Sequence, residues 1–372
     1  MTLGRAVHLV APLFILATPA TVRAAILTVA QDGSGDYETI WEALTAVQDA
    51  DRIEIRPGYY DESTDDGEVR AVDTYGKRFS VEGMGSGPDD VIVAFLRIEI
   101  CGDVTVERLT FRDSCSPLRI TDFCDHQPYA VVVTDCTFLE NGYGDCAHEG
   151  AAIRALESYD TPSTLLVEGC VFEGNVTSTG EGGAVHSTAE LTVRDTHFIG
   201  NTSGGLFAIQ LVAENCLFWK NESPFEGSAI IAYERHDIRN CTFWGNRGPS
   251  TIYSIVGPSQ HSEITNCIVG GTVGGYGIDC AGWFVINCCV LSFNERGNAG
   301  ICGPPSGSGT LFDVDPLFCD EDAGNFELMP DSPCLPGVRD GRECDLVGAF
   351  PLGCGVSPTI ETSWGRLKAQ YR

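Results

Sequence analysis

Two glutamates stand in the same short phrase of the chain, Glu149-Gly-Ala-Ala-Ile153 and Glu181-Gly-Gly-Ala-Val185. Five residues after each comes a second polar group, Arg154 and His186. If the phrases occupy neighbouring layers at the strand spacing of about 4.8 Å, the two carboxylates face each other at roughly 5 Å. Like charges so close raise one pKa, and the pair could act as acid and base on a glycoside or hold Ca²⁺. The plainer alternative is two solvated turn residues, each before a Gly. Glu226 shares the phrase but lies two layers beyond Glu181, outside the pair. Trp219 and Trp244 each follow a Phe at equivalent positions, so they should project outward and could stack on sugar rings. Cover by a loop is the alternative for both.

These groups need a scaffold that repeats, and the chain supplies one. A strand phrase recurs as Thr134-Asp-Cys-Thr-Phe138, Glu168-Gly-Cys-Val-Phe172, Arg194-Asp-Thr-His-Phe198, Glu214-Asn-Cys-Leu-Phe218 and Arg239-Asn-Cys-Thr-Phe243. Weaker copies end at Phe111, Val269 and Val290, giving intervals of 27, 34, 26, 20, 25, 26 and 21 residues. An Asn follows three residues after the Phe at Asn141, Asn175, Asn201, Asn221 and Asn246. A period of this size holds about three strands of roughly five residues. Helical periodicity is missing between copies. The architecture that fits is all-β, a single-stranded right-handed parallel β-helix, with Phe and Cys stacked inside and Asn at sharp corners, where an αL backbone and amide bonds to the next coil suit it.

Composition agrees with one elongated exported domain. The 372 residues carry 23 Lys+Arg against 52 Asp+Glu, a net charge of −29. So acidic a surface excludes nucleic acid as a partner, which needs a basic footprint. Residues 1–24 read as a signal peptide, with Arg5, an apolar run from Leu9 to Ala20, and small residues before the cut. Without its two Arg, 21 basic residues against 52 acidic ones leave −31. That apolar run is shorter than the ~20 residues of a membrane span. The expected product is secreted or held at the cell surface, monomeric, without a transmembrane span. Its 17 Cys point to an oxidising compartment.

The repeats, the opening Val29-Ala-Gln-Asp-Gly-Ser-Gly-Asp-Tyr-Glu-Thr-Ile40 and Arg56-Pro-Gly-Tyr-Tyr-Asp-Glu62 resemble the pectin-lyase-like superfamily. Within it, the likeness is to bacterial secreted proteins of parallel β-helix repeats. Thr39 to Ala50 reads as an amphipathic helix, with Ile40, Ala43, Leu44 and Val47 on the face that plugs the first coil. The resemblance implies an N-terminal cap and first coils over 25–100, coils over 101–310, a C-terminal cap over 311–354, and a linker with a basic tail over 355–372. That tail resembles the endings of the same bacterial proteins, as a sorting or attachment tag would. The catalytic phrases of pectin methylesterases, pectate lyases and polygalacturonases are not matched.

Cys136, Cys170, Cys216, Cys241, Cys267 and Cys288 read as interior rungs that behave as small hydrophobes. Cys115 with Cys124, Cys319 with Cys334, and Cys344 with Cys354 are plausible local bridges. No metal-like spacing of His or Cys appears, and no cofactor is expected, although acidic positions could take Ca²⁺. The leading expectation is a non-catalytic β-helix that contacts an extracellular polysaccharide or a cell-surface component. The alternative is a polysaccharide lyase or glycoside hydrolase using Glu149, Glu181, Arg154 and His186.

Overall fold

The computed structural model describes residues 24–121, 128–142, 150–156, 163–178, 182–257, 262–282, 285–300, 307–339 and 341–354. Within them the chain winds as a right-handed parallel β-helix with three faces. The first face carries Leu96–Ile100, Leu118–Thr121 and Ile153–Leu156. The second carries Val104–Glu107, Ala130–Thr134 and Thr164–Glu168. Val185–Arg194 and Leu206–Glu214 run across both, which joins them into one 19-stranded sheet. The third face is an 11-stranded sheet that includes Thr137–Leu139, Val171–Glu173, Leu217–Trp219 and Thr242–Trp244. Strands form here because inward positions are apolar at period two. Val131 and Val133 are buried on either side of the half-exposed Val132.

Two left-handed residues turn each coil. Between the second and third faces stand Asp135, Asp195, Asn215, Asn240 and Asn266, with φ between 47° and 56°. After the third face come Glu140, Gly174, Gly200, Lys220 and Gly245, also at positive φ. The ladder Asn follows this second bend and does not itself turn left-handed, contrary to the expectation. Its work is hydrogen bonding. Asn141, Asn175, Asn201 and Asn221 each donate Nδ2 to the Oδ1 of the next Asn, at 2.9–3.1 Å. The same Oδ1 also takes the backbone N–H of the preceding rung, at 2.9–3.1 Å. All five Asn are fully buried, so each bond satisfies a group that water cannot reach.

Inside, Phe111, Phe138, Phe172, Phe198, Phe218 and Phe243 form one column with ring centroids 4.7–5.3 Å apart. Ring spacing here equals strand spacing, so one repeat sets both. Beside it run the buried thiols of Cys136, Cys170, Cys216, Cys241 and Cys267. Thr196 takes the rung between Cys170 and Cys216, and its Oγ1 accepts from the Cys170 N–H at 3.3 Å. The last rung is Cys289, not Cys288. Ile268 pairs with Val290 and Val269 with Leu291, which places Cys289 inside. Cys288 instead occupies the left-handed corner, φ 51°, and is bonded to Cys344.

The N-terminal end is closed by helix α1, Ile40–Ala46, shorter than the stretch to Ala50 suggested. Thr39 caps it, and the buried Glu62 carboxylate accepts from the Ile40 and Trp41 N–H groups at 2.7 and 3.2 Å. Ile40, Ala43, Leu44 and Val47 face the core as expected.

The C-terminal cap corrects two disulfides. Phe318–Asp320 pairs antiparallel with Asn325–Leu328, and Leu328 bridges Leu352. That three-way pairing brings Cys354 to Cys319, and they are bonded. Cys334 is a buried free thiol. The hairpin of Gly337–Arg339 and Arg342–Cys344 lies on the last coils, where Cys344 meets Cys288. Cys101, Cys115 and Cys280 are also disulfide-bonded. Cys124, Glu149, Glu181, residues 1–23 and the tail from 355 lie outside the described residues.

Candidate functional site

The sequence-derived groups fall on different faces. Arg154 and His186 are register partners on the first face, and Gly150 donates to the Gly182 carbonyl at 3.0 Å, so the two phrases stack as expected. Glu149 and Glu181 lie outside the described residues. His186 is buried, its ring stacked on Phe207 at 4.4 Å and 8°. Phe207 in turn meets Tyr233 edge-on at 5.1 Å.

Trp219 and Trp244 are register partners on the third face. They do not stand clear of the protein: the cap lies against them. Phe318 meets Trp244 edge-on at 5.0 Å, and Phe326 meets Trp219 at 5.6 Å. Leu217, Ile268 and Val290 of the same face join Phe318, Phe326, Leu328 and Val347 in a second apolar cluster. Burial of that cluster seats the cap. Two glycines make the fit possible. A side chain at Gly270 would meet the Trp244 ring at 2.3 Å, and one at Gly324 would meet Trp219 at 2.7 Å.

The cap does not seal the indoles. A cleft of about 430 Å³ opens between the third-face corner and the cap loop. Trp219 and Trp244 line it with Lys220, Arg247, Glu222, Glu321 and Asp322. Lys220 Nζ sits 4.3 Å from the Trp219 ring centre, a cation–π contact that holds the ammonium at the mouth. Glu222 and Arg247 bridge through their backbones, one residue past the ladder Asn of consecutive coils. Aromatic carbon, cations and carboxylates therefore share one concave surface. It can stack an apolar ring face, accept from hydroxyls and donate to anionic or neutral oxygens. The sequence singled out the indoles; the cap brings Glu321 and Asp322 to them.

Burial perturbs neighbouring groups. Desolvation lowers the His197 pKa to about 4, and its ring sits 5.9 Å from the cap's Phe350. Glu173, on the same face, is raised by burial and then by the Glu140 charge. Among the described residues no group of three or more His, Cys, Asp or Glu could hold a metal ion. Among them, too, no helix is long and apolar enough to cross a membrane.

Three parallel faces and an internal Asn ladder define a right-handed parallel β-helix. Residues 123–303 match the family described as the right handed beta helix region. An 88-residue stretch is 35% identical to a pectinesterase/pectinesterase inhibitor of Ficus pumila var. awkeotsang, over 23% of this chain and 15% of that relative's length. Among solved structures, the PL6 family alginate lyase AlyGC is 14% identical, with a TM-score of 0.40, over 91% of this chain and 60% of that one. Escherichia coli YbhC is 11% identical, with a TM-score of 0.35, over 82% of this chain and 81% of the other. Carrot pectin methylesterase is 13% identical, with a TM-score of 0.32, over 78% and 88% of the two chains.

Proposed function

We propose that the protein is a non-catalytic extracellular solenoid that binds carbohydrate in the cleft beneath its C-terminal cap. The observation that carries this reading is the pairing of two register-matched indoles with charged groups of both signs in one concavity. A pyranose offers a C–H face for an indole and a rim of hydroxyls for carboxylates and ammonium groups. The disulfides across the cap fit an oxidising compartment. The short similarity to a pectinesterase/pectinesterase inhibitor fits a carbohydrate ligand. Titration calorimetry against a panel of uronic-acid and neutral oligosaccharides tests it. Trp219→Ala with Trp244→Ala should weaken binding of the ligand found by roughly tenfold or more. Unchanged affinity in that double variant sinks the cleft.

The register pairing of Arg154 with His186 on neighbouring coils favours a second reading, a lyase or hydrolase acting through Glu149, Glu181, Arg154 and His186. Its readouts are new absorbance at 235 nm from unsaturated products, and new reducing ends. Turnover that Glu181→Gln abolishes establishes the enzyme and overturns the non-catalytic reading.

A further inference from the structure

The second face is a solvent-facing sheet that neither of these roles uses. Its strands follow one another in parallel register from Arg52–Ile55 to Val285–Asn287. Neighbouring strands of a sheet usually twist by about 20–25°. Here the Phe rings of the same coils, from Phe138 to Phe243, turn by no more than 10° between neighbours, so the stack hardly twists. Its outward positions therefore form straight files along the solenoid axis.

One file reads Glu107, Thr134, Glu168, Arg194, Glu214 and Arg239. The file beside it reads Thr105, Val132, Leu166, Thr192, Val212 and Asp237. The charges of the first file stay in solvent. Arg194 Nε stands 3.6 Å from Glu214 Oε2, and Arg239 Nε turns aside to Asp237 at 2.6 Å. The side chains of Arg194, Glu214 and Arg239 remain 46%, 41% and 53% exposed.

This order of charges is complementary to its own reverse. Consider a two-fold axis lying in the face, along the strands and midway between Glu168 and Arg194. A second copy turned about it runs antiparallel to the first and lays each file on its equivalent. Glu168 then faces Arg194 of the second copy, Glu107 faces its Arg239, and the Thr134 hydroxyl faces its Glu214. In the other file Val132 faces Val212, Leu166 faces Thr192, and Thr105 faces Asp237. No two like charges meet in either file, and every pair occurs twice. Placing the axis on a strand instead sets Glu168 against Glu168 or Arg194 against Arg194, which repel. Moving it a whole coil sets Glu82 against Glu214, or Leu166 against Asp237. Charge therefore fixes one register. The overlap is about 43 Å long and about 15 Å wide, so two copies bury about 1,300 Å². That lies within the roughly 1,200–2,000 Å² of specific interfaces.

We infer that the second face is a homodimer interface, on which two copies pack antiparallel in this register, in place of the monomer expected from the sequence. The indole cleft lies on the third face and stays open in both copies.

Sedimentation velocity over roughly 1–100 µM protein tests it. In about 0.15 M salt the repulsion between two acidic chains is screened within about 8 Å. The protein should sediment as a dimer with a micromolar or tighter dissociation constant. Glu168→Arg alone and Arg194→Glu alone each set like charges face to face at two places, and should weaken the dimer roughly tenfold or more. Mixed in equal amounts, the two variants meet with opposite charges and should pair as a heterodimer. A substitution that merely disturbed its own chain is not repaired by a second chain. Val212→Glu, at a position 37% exposed, gives a parallel loss should the charge reversals fold poorly. Trp219→Ala with Trp244→Ala should leave the dimer intact, which separates its fate from that of the cap cleft. A protein that stays monomeric at about 100 µM overturns the inference. So does a dimer unaltered by the charge reversals and by Val212→Glu, or a mixture of folded reversal variants that stays apart.

Discussion

Asn201 is the rung at which the amide ladder can be weighed. Its Oδ1 accepts from the N–H and the Nδ2 of Asn175, at 3.0 and 2.9 Å. Its Nδ2 donates to the Phe172 carbonyl and to Asn221 Oδ1, at 3.0 and 2.9 Å. Asn201→Ala removes all four bonds. It leaves a backbone donor and a side-chain donor of Asn175 pointing into a space sealed from water. Each buried group left unpaired costs about 1–3 kcal/mol. Two such groups, plus the lost bonds to the next coil, predict a destabilisation of about 4 kcal/mol. That is a large share of the roughly 5–15 kcal/mol that holds a domain folded. Urea unfolding followed by circular dichroism measures it, with Thr202→Ala on the adjacent, partly exposed position as control. Asn201→Thr should lose about half as much. The chain makes that substitution itself at Thr272, whose N–H and hydroxyl both reach Asn294 Oδ1, at 3.2 and 2.5 Å. A loss below about 1 kcal/mol in Asn201→Ala, or one no larger than the control's, refutes the ladder as a source of stability.

Two further outcomes follow from buried groups. Iodoacetamide, without reductant, should leave Cys136, Cys170, Cys216, Cys241, Cys267, Cys289 and Cys334 unlabelled in the native protein and label them after unfolding. Burial pushes the Cys216, Cys241 and Cys267 thiols well up, so little reactive thiolate forms. Mass spectrometry that finds Cys288 or Cys319 alkylated under the same conditions contradicts the cap disulfides. His236 is 1% exposed, its ring 3.2 Å from Ser254 Oγ, and burial lowers its pKa from 6.5 to about 4. The unfolded chain binds this proton first. Stability is therefore full above pH 6.5, falls as pH drops from 6.5 towards 4, and levels off below. The whole effect is about 3 kcal/mol. His236→Gln should make that limb of the unfolding midpoint against pH shallower, with His197, also lowered to about 4, supplying the remainder; an unchanged slope rejects the assignment.

The coils were legible because one phrase carries three constraints at once: a residue that bends left-handed, an inward Cys or Thr, and an inward Phe. Where the phrase degenerates, the reading slips. At Asn287-Cys288-Cys289-Val290, two adjacent Cys fit the rung equally well in sequence. Only pairing with Cys267 and Ile268 decides between them. A one-residue slip in a strand exchanges inside for outside, and here it exchanges a thiol for a disulfide. The cap bonds join residues 35 and 56 apart, through pairings that leave no local signature. The cleft was half legible. Glu222 and Arg247 sit one place past ladder Asn residues, so the register of the ladder could have marked them as neighbours. Glu321 and Asp322 reach the indoles only through the folded cap.

One property of the coils bears on how such a molecule changes over generations. The interval between successive Phe rings ranges from 20 residues to 34, yet the rings from Phe138 to Phe243 stay 4.7–4.8 Å apart and close to parallel. The extra length is taken up between strands, where lengthening a loop costs little. An insertion can therefore enlarge the outer surface of one coil without moving the coil above or below it. Whole coils can be duplicated or deleted on the same terms, because each rests only on its neighbours. The solenoid grows like a stack of shelves of fixed height and free depth, and its two ends, the helix plug and the disulfide-tied cap, are the parts that must be kept.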